Sequence, residues 1–116
     1  MASSVIKAPT QAHGTFTSSD SNINFLGSAQ YTRYGNVVNI TCAVKYSTAN
    51  TTWANITDTV FPTSARLTDV SIYGSSLAEA GAASAVDLAV RVRNGYLQAY
   101  GGTNGQMYLV NVTYIL

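Results

Sequence analysis

The chain has 116 residues and a formal net charge of +1, with 9% charged and 47% apolar residues. This length suits one domain with a single core, and the apolar content is unlike that of a disordered chain. Six Lys and Arg against five Asp and Glu give no basic patch for nucleic acid. No apolar run reaches the roughly 18 residues of a membrane span. We therefore expect a folded domain whose partners include neither nucleic acid nor a membrane into which it inserts.

The beginning of the chain differs in composition from the rest. Residues Met1–Ser21 are mostly small and polar, and they are predicted to form an extended leader or the end of a stalk. A head domain is predicted over residues 22–116. It opens with short strands at Asn22–Leu26 and Gln30–Arg33, followed by a turn at Gly35-Asn36.

The clearest long strand is Val37–Tyr46, in which apolar and polar side chains alternate as in a half-buried antiparallel strand. A second strand is predicted at Thr52–Val60 and is ended by Pro62, because proline cannot continue a ladder. Leu67–Tyr73 is predicted as a further strand. The segment Gly74–Ser84 is predicted as a loop with at most one helical turn, since glycine destabilises a helix.

A hairpin is predicted around Asn94-Gly95, which lies between two alternating runs. A two-residue type I′ turn needs positive φ at both positions, and Asn and Gly adopt it readily. The turn fixes the register, which pairs Arg93 with Tyr96, Val92 with Leu97, Arg91 with Gln98, Val90 with Ala99 and Ala89 with Tyr100. One face is then apolar, formed by Leu88, Val90, Val92, Leu97 and Ala99. The other face is polar and aromatic.

The last strand is predicted at Gln106–Leu116, after a glycine-rich loop. Its two sides are both apolar, with Tyr108, Val110, Val112 and Tyr114 on one and Met107, Leu109 and Ile115 on the other. A strand that is apolar on both sides should be covered on both sides, so a second copy of the chain is a candidate cover. Strands about ten residues apart, with no helical period, predict an all-β antiparallel β-sandwich or jelly roll.

The sequence carries no motif of a known catalytic or metal site. The single Cys42 and single His13 are not brought together by any pattern, and Asp58 with Asp69 are the candidate carboxylates for glycoside cleavage. We expect a protein that is not an enzyme and that needs no metal or cofactor. An enzymatic alternative would depend on those two aspartates.

The polar and aromatic surface suits a saccharide, because a sugar ring offers hydroxyl edges for hydrogen bonds and a C–H face for stacking. The same side chains could instead be an ordinary exterior or a subunit contact. Trp53 could anchor the core or serve as a platform for a sugar. The candidate ligand-binding residues are Trp53, Asp69, Tyr73, Arg91, Arg93, Tyr96, Gln98 and Tyr100.

Four features follow one another along the C-terminal part of the chain. They are a strand that opens with Gly35-Asn36-Val37-Val38, the segment from Trp53 through Ile56 to Pro62, the hairpin from Val90 to Gly95, and Tyr114-Ile115 at the end. This order of elements resembles the receptor-binding heads and related distal domains of bacteriophage tail fibres and baseplates. The resemblance covers about 80 residues.

This resemblance implies a homotrimeric β-sandwich at the end of a fibre that binds a bacterial surface glycan. It also implies synthesis in the host cytoplasm and a place at the virion tail tip or another extracellular fibre tip. A structural alternative is a tail-fibre or baseplate domain that docks another tail protein without binding glycan. The candidate site residues come from the sheet faces and not from the resemblance.

Overall fold

A computed structural model describes residues 10–18, 23–27, 29–48, 52–78 and 88–116. Across these residues the chain forms β-strands and one short 3₁₀ helix, at Ala65–Leu67. The strands are β1 (Gln11–Phe16), β2 (Ile23–Phe25), β3 (Ala29–Tyr34), β4 (Val37–Tyr46), β5 (Ala54–Val60), β6 (Ser71–Tyr73), β7 (Ser75–Ala78), β8 (Ala89–Arg93), β9 (Tyr96–Tyr100) and β10 (Met107–Ile115).

The strands of the described residues form two antiparallel sheets. The six-stranded sheet has the order β1-β3-β4-β10-β7, with β2 also paired to β4. The four-stranded sheet has the order β5-β9-β8-β6. The predicted all-β, antiparallel class is therefore confirmed, and the predicted long strand at Val37–Tyr46 is present with the same bounds.

A single apolar core lies between the two sheets, as in a β-sandwich. Strict alternation along β4 and β10 turns every second side chain inward. The six-stranded sheet contributes Val38, Ile40, Val44, Tyr46, Tyr108, Val110 and Val112 to this core, and the four-stranded sheet contributes Ile56, Val90, Val92, Leu97 and Ala99. The hairpin that carries the candidate site is thus anchored by its apolar face.

The predicted hairpin is confirmed in turn and in register. Asn94 and Gly95 have φ values of 50° and 82°, the positive pair that a type I′ turn requires. The five pairs between β8 and β9, from Arg93 with Tyr96 to Ala89 with Tyr100, are those that the turn predicts. Arg91 and Arg93 therefore point away from the core.

Two predictions between residues 67 and 84 are corrected. The extended run predicted at Leu67–Tyr73 is a strand only from Ser71, because Leu67 ends the 3₁₀ helix and Asp69 has a φ of 57°. That left-handed conformation interrupts an extended chain. The predicted loop at Gly74–Ser84 contains β7, which pairs with β10, while its residues 79–84 lie outside the described residues.

Part of the predicted leader lies in the sheet. Strand β1 pairs with β3 along its whole length, and Phe16 at its end is buried in the core. Edge-to-face contacts join the Phe16 ring to Phe25 and Phe61, with centroids 5.3 Å and 5.1 Å away. The six-stranded sheet therefore begins before the boundary predicted at Ser21. Residues 1–9 lie outside the described residues.

Candidate functional site

The outer face of the four-stranded sheet carries a row of polar and aromatic side chains that crosses all four strands. Cross-strand pairing places Asn55 of β5 beside Gln98 of β9, Gln98 beside Arg91 of β8, and Arg91 beside Tyr73 of β6. Neighbours in such a row share one side of the sheet. The sheet thus presents an amide pair, a guanidinium group and a phenol side by side.

Trp53 lies over this row, just before β5 begins. The Cζ atom of Arg91 is 4.1 Å from the centroid of the indole ring, which is a close cation–π contact. The ring centroids of Tyr100 and Tyr73 are 5.8 Å and 6.1 Å from that of Trp53. These four residues, Trp53, Tyr73, Arg91 and Tyr100, are called the Trp53 cluster below. Trp53 is half-buried and lies outside the core, so the alternative that it anchors the core is wrong.

A chain of hydrogen bonds holds Arg91 in place beneath the indole. Its Nε atom donates to Oε1 of Gln98 at 2.8 Å, and Nε2 of Gln98 donates to Oδ1 of Asn55 at 3.0 Å. Because Asn55 accepts from the amide nitrogen, it orients the amide oxygen of Gln98 toward Arg91. Asn55 was missed among the candidate residues, because its link to this face depends on its pairing with Gln98 of a distant strand.

Arg93 and Tyr96 lie in the next row, toward the hairpin turn. They are paired across the strands, and Nη1 of Arg93 donates to Oγ of Ser71 at 2.9 Å. Among the described residues, no hydrogen bond, ring contact or cation–π contact joins either of them to the Trp53 cluster. They extend the polar face without completing the cluster.

Asp69 lies at the end of the sheet and not beside the Trp53 cluster. Its backbone N–H donates to Oδ1 of Asn94 at 2.8 Å, and Nδ2 of Asn94 donates back to Oδ1 of Asp69 at 3.1 Å. Of the eight candidate residues, the structure therefore brings together Trp53, Tyr73, Arg91, Gln98 and Tyr100, and it leaves Asp69, Arg93 and Tyr96 outside that group.

The middle of this face carries two guanidinium groups. Arg91 and Arg93 are two residues apart on one strand and point to the same side. Neither forms an ion pair with a carboxylate of the described residues. The guanidinium groups are positioned by uncharged oxygens and, for Arg91, by an aromatic ring, so their positive charge is available to a ligand.

In the described part of the chain, the side chains that could bind a metal ion or act as a thiol nucleophile are those of His, Cys, Asp and Glu residues. No group of three or more His, Cys, Asp and Glu residues there could hold a metal ion. Cys42 is buried, and desolvation by burial raises the pKa of its thiol to about 12. A thiol with that pKa stays protonated at neutral pH and is a poor nucleophile.

The outer face of the six-stranded sheet is different. Register aligns one apolar row from Leu77 through Leu109 to Ala43, and a second from Ile115 through Val37 to Tyr34. These two lines are called the apolar rows below. Leu109 and Ile115 are 57% and 61% exposed. An open depression of about 320 Å³ lies beside the first row, lined by Leu26, Thr41, Cys42, Ala43, Leu109 and Val110.

The two apolar rows are separated by a polar stripe. In this stripe Nδ2 of Asn39 donates to Oδ1 of Asn111 and to Oγ1 of Thr113, both at 2.8 Å. Among the outward side chains of the described strands of this sheet, Lys45 carries the one formal charge at neutral pH. Depletion of charge with retained hydrogen-bonding groups is typical of the centre of a protein interface.

No protein-family model matches the chain, and no curated protein matches it at a significant level. Over the residues that the structure describes, no helix has the length and hydropathy needed to cross a membrane.

Proposed function

We propose that this chain is a non-enzymatic receptor-binding head of a phage-type tail fibre, carried at the virion tail tip or another extracellular fibre tip. In this proposal it recognises a bacterial cell-surface saccharide on the outer face of the four-stranded sheet. The observation that carries the proposal is the Trp53 cluster, in which side chains from four separate segments converge on one exposed surface.

The chemistry of the cluster matches that of a sugar ring. Tyr73 and Tyr100 are 64% and 43% exposed, so part of each aromatic side chain is accessible for contact with the C–H face of a saccharide. Arg91 and Gln98 bring planar donors and acceptors to the same place, and these suit hydroxyl or anionic groups. Gln98 and Trp53 already fix Arg91, which lowers the entropy lost when a ligand binds.

The proposal includes assembly into a homotrimer through the apolar rows. Leu77 is 62% exposed beside Leu109, and exposed apolar surface of this kind favours a protein contact. A second copy is the occupant to which the nearly uncharged face is suited, because two such faces bring together no charged groups other than Lys45 of each copy. Three saccharide sites on one head would act with millimolar effective concentrations, so shallow individual sites suffice.

Binding to bacterial cells and to purified cell-wall polysaccharide tests the saccharide proposal. We expect Trp53→Ala, Tyr100→Ala and Arg91→Ala each to weaken binding by roughly tenfold or more, because buried aromatic and arginine side chains dominate such contacts. Thr15→Ala is the control, since Thr15 is exposed on the edge strand β1 and belongs neither to the Trp53 cluster nor to the apolar rows. Its molar mass is measured alongside, so that a change in assembly is seen separately.

Two results would contradict the saccharide proposal. One is unchanged cell binding in all three cluster variants, which would remove this face as the site. The other is a wild-type protein that assembles fully but binds no bacterial cells or polysaccharide. That second result would favour the structural alternative, in which the apolar rows dock another tail protein. Cleavage of polysaccharide that Asp58→Asn or Asp69→Asn abolishes would indicate an enzyme instead.

A further inference from the structure

The turn of the β8–β9 hairpin is tied to the turn before β6 by a reciprocal pair of hydrogen bonds. Asn94 accepts from the backbone N–H of Asp69 and donates to its side-chain oxygen, at 2.8 Å and 3.1 Å. This two-bond contact is called the Asp69–Asn94 clasp below. It joins segments 25 residues apart and engages both polar atoms of the Asn94 side chain.

We propose that Asn94 is a deamidation site and that the clasp restrains its reaction. Asn94 is followed by Gly95 and is exposed to solvent, and glycine places no side chain in the way of its own backbone nitrogen. That nitrogen attacks Cγ of Asn94, a new C–N bond closes a five-membered succinimide, and the side-chain nitrogen leaves as ammonia with the displaced proton. Water then opens the ring to aspartate or isoaspartate.

The folded structure opposes this attack at three points. The clasp fixes Cγ of Asn94 through both of its polar atoms. The backbone of Asn94 is held at a φ of 50° by the type I′ turn. On the other side, the carbonyl of Gly95 accepts from the N–H of Phe61 at 2.8 Å. The nitrogen and Cγ can approach only when this end of the hairpin loosens, so the reaction reports local opening.

The product would weaken the contact that restrained it. Aspartate at position 94 has no amide donor, and its carboxylate would face that of Asp69 within a hydrogen-bond distance. Two like charges so close together repel each other. Isoaspartate would also lengthen the backbone of a two-residue turn whose length sets the strand register. Reaction at Asn94 is therefore expected to release the hairpin turn from the turn before β6.

Variants of Asp69 test the restraint. The full chain is incubated at mildly alkaline pH and digested with trypsin, and fragment spectra assign deamidation to Asn94 or to Asn104, which also precedes a glycine. Asp69→Gly tolerates the positive φ but lacks the acceptor, and we expect reaction at Asn94 about fivefold faster, the effect of one lost hydrogen bond. Asp69→Asn keeps an acceptor oxygen and should react at the wild-type rate.

Asn104 serves as the internal control for general loosening. Its rate should be the same in all three proteins, because it lies in the loop before β10 and not in the clasp. An Asn94 rate that Asp69→Gly leaves unchanged would overturn the proposal. So would equal acceleration at Asn94 and Asn104, because that pattern indicates loss of overall stability and not of the clasp.

A second measurement addresses the effect of the product without waiting for the reaction. Asn94→Asp should lower the urea midpoint of unfolding, and Asp69→Asn added to it should restore most of the loss, since one of the facing charges is then removed. If Asn94→Asp lowers the midpoint equally with Asp or Asn at position 69, repulsion across the clasp is not the cause and this part of the proposal is wrong.

Discussion

The two outer faces of the sandwich contrast with each other, although both sheets bury alternate apolar side chains in the same core. The four-stranded sheet turns arginines, tyrosines and amides outward and places Trp53 over them. The six-stranded sheet turns outward two apolar rows with a polar stripe between them. Folding requires only that the inner positions of a strand be apolar. The outer positions are free to differ, and here one outer face is polar and aromatic while the other carries the apolar rows.

A charge placed in the apolar rows should have the largest effect. We expect the wild-type protein to have the molar mass of three chains by light scattering, and Leu109→Glu with Ile115→Glu to have the mass of one, because burying unpaired carboxylates opposes assembly. Ala89→Glu on the opposite outer face is the control and should leave the mass unchanged. A wild-type mass of one chain would contradict assembly through this face.

The next largest effect is expected at Gly74, where the chain passes from β6 in one sheet to β7 in the other. Its N–H donates to the carbonyl of Val90 at 3.0 Å, and an added Cβ would lie 2.6 Å from the carbonyl oxygen of Asn111 and would also meet the Val112 side chain. Gly74→Ala should lower the free energy of unfolding by about 2–3 kcal/mol, as overpacking does. Urea titration measures this change.

Gly27→Ala provides the control for Gly74→Ala. Gly27 has a φ of +72°, but no atom lies within 4 Å of its added Cβ. The substitution therefore costs only backbone strain of roughly 1 kcal/mol. If the two variants were equally stable, the close approach of Gly74 to β10 would not be what restricts this position to glycine.

Alkaline pH tests the inner side of the six-stranded sheet, where Cys42 is buried in the core between the two sheets. Burial raises the pKa of Cys42 from 9.0 to about 12, so the folded state holds this proton more tightly than the unfolded state does. Its contribution to stability is complete below pH 9 and is lost as the pH rises toward 12. We expect a loss on the order of 1 kcal/mol by about pH 10.

Cys42→Ala separates this thiol from other alkaline effects. Among the described residues, Tyr114 is the other group with a clearly raised pKa, to about 12, because desolvation outweighs the nearby charge of Arg33. Between neutral pH and about pH 10, the free energy of unfolding should therefore fall less in Cys42→Ala than in the wild type. Urea titrations at each pH measure it. Parallel pH profiles for the two proteins would show that Cys42 does not hold its proton more tightly in the folded state.

Patterns of neighbouring residues predicted the hairpin turn, the strand register and the inner side of β4, because each of these depends on residues close together in the chain. The Asn94-Gly95 turn fixed the register of β8 and β9 because both strands adjoin it, and alternation alone identified β4 and its inner side. The same alternation separated the arginines of β8 from its buried valines. Turn chemistry and alternation together were enough to place Arg91, Gln98 and Tyr100 on one face of the hairpin.

Features that depend on distant partners could not be predicted in this way. Strand β7 is short and serine-rich, and it is a strand because β10 pairs with it. Asp69 has a positive φ and is hydrogen-bonded to Asn94, which lies 25 residues away in the chain. Trp53 precedes its strand, so alternation could not decide between the core and the outer face, and its contact with Arg91 decided it.

The smallest change in stability is expected for a substitution of Arg91 on the outer face of the four-stranded sheet. Arg91→Lys keeps the positive charge but loses the planar group that stacks on Trp53 and the Nε atom that donates to Gln98. We expect stability to fall by about 0.5–1 kcal/mol, the strength of an exposed cation–π contact. Because Trp53 is the only tryptophan of the chain, its fluorescence reports directly whether the contact with the guanidinium group is lost.

Arg93→Lys is the matched variant, since Arg93 lies on the same strand without a cation–π contact to the indole. A fluorescence change of equal size in both variants would mean that Trp53 responds to the general charge of the face and not to the guanidinium group beneath it.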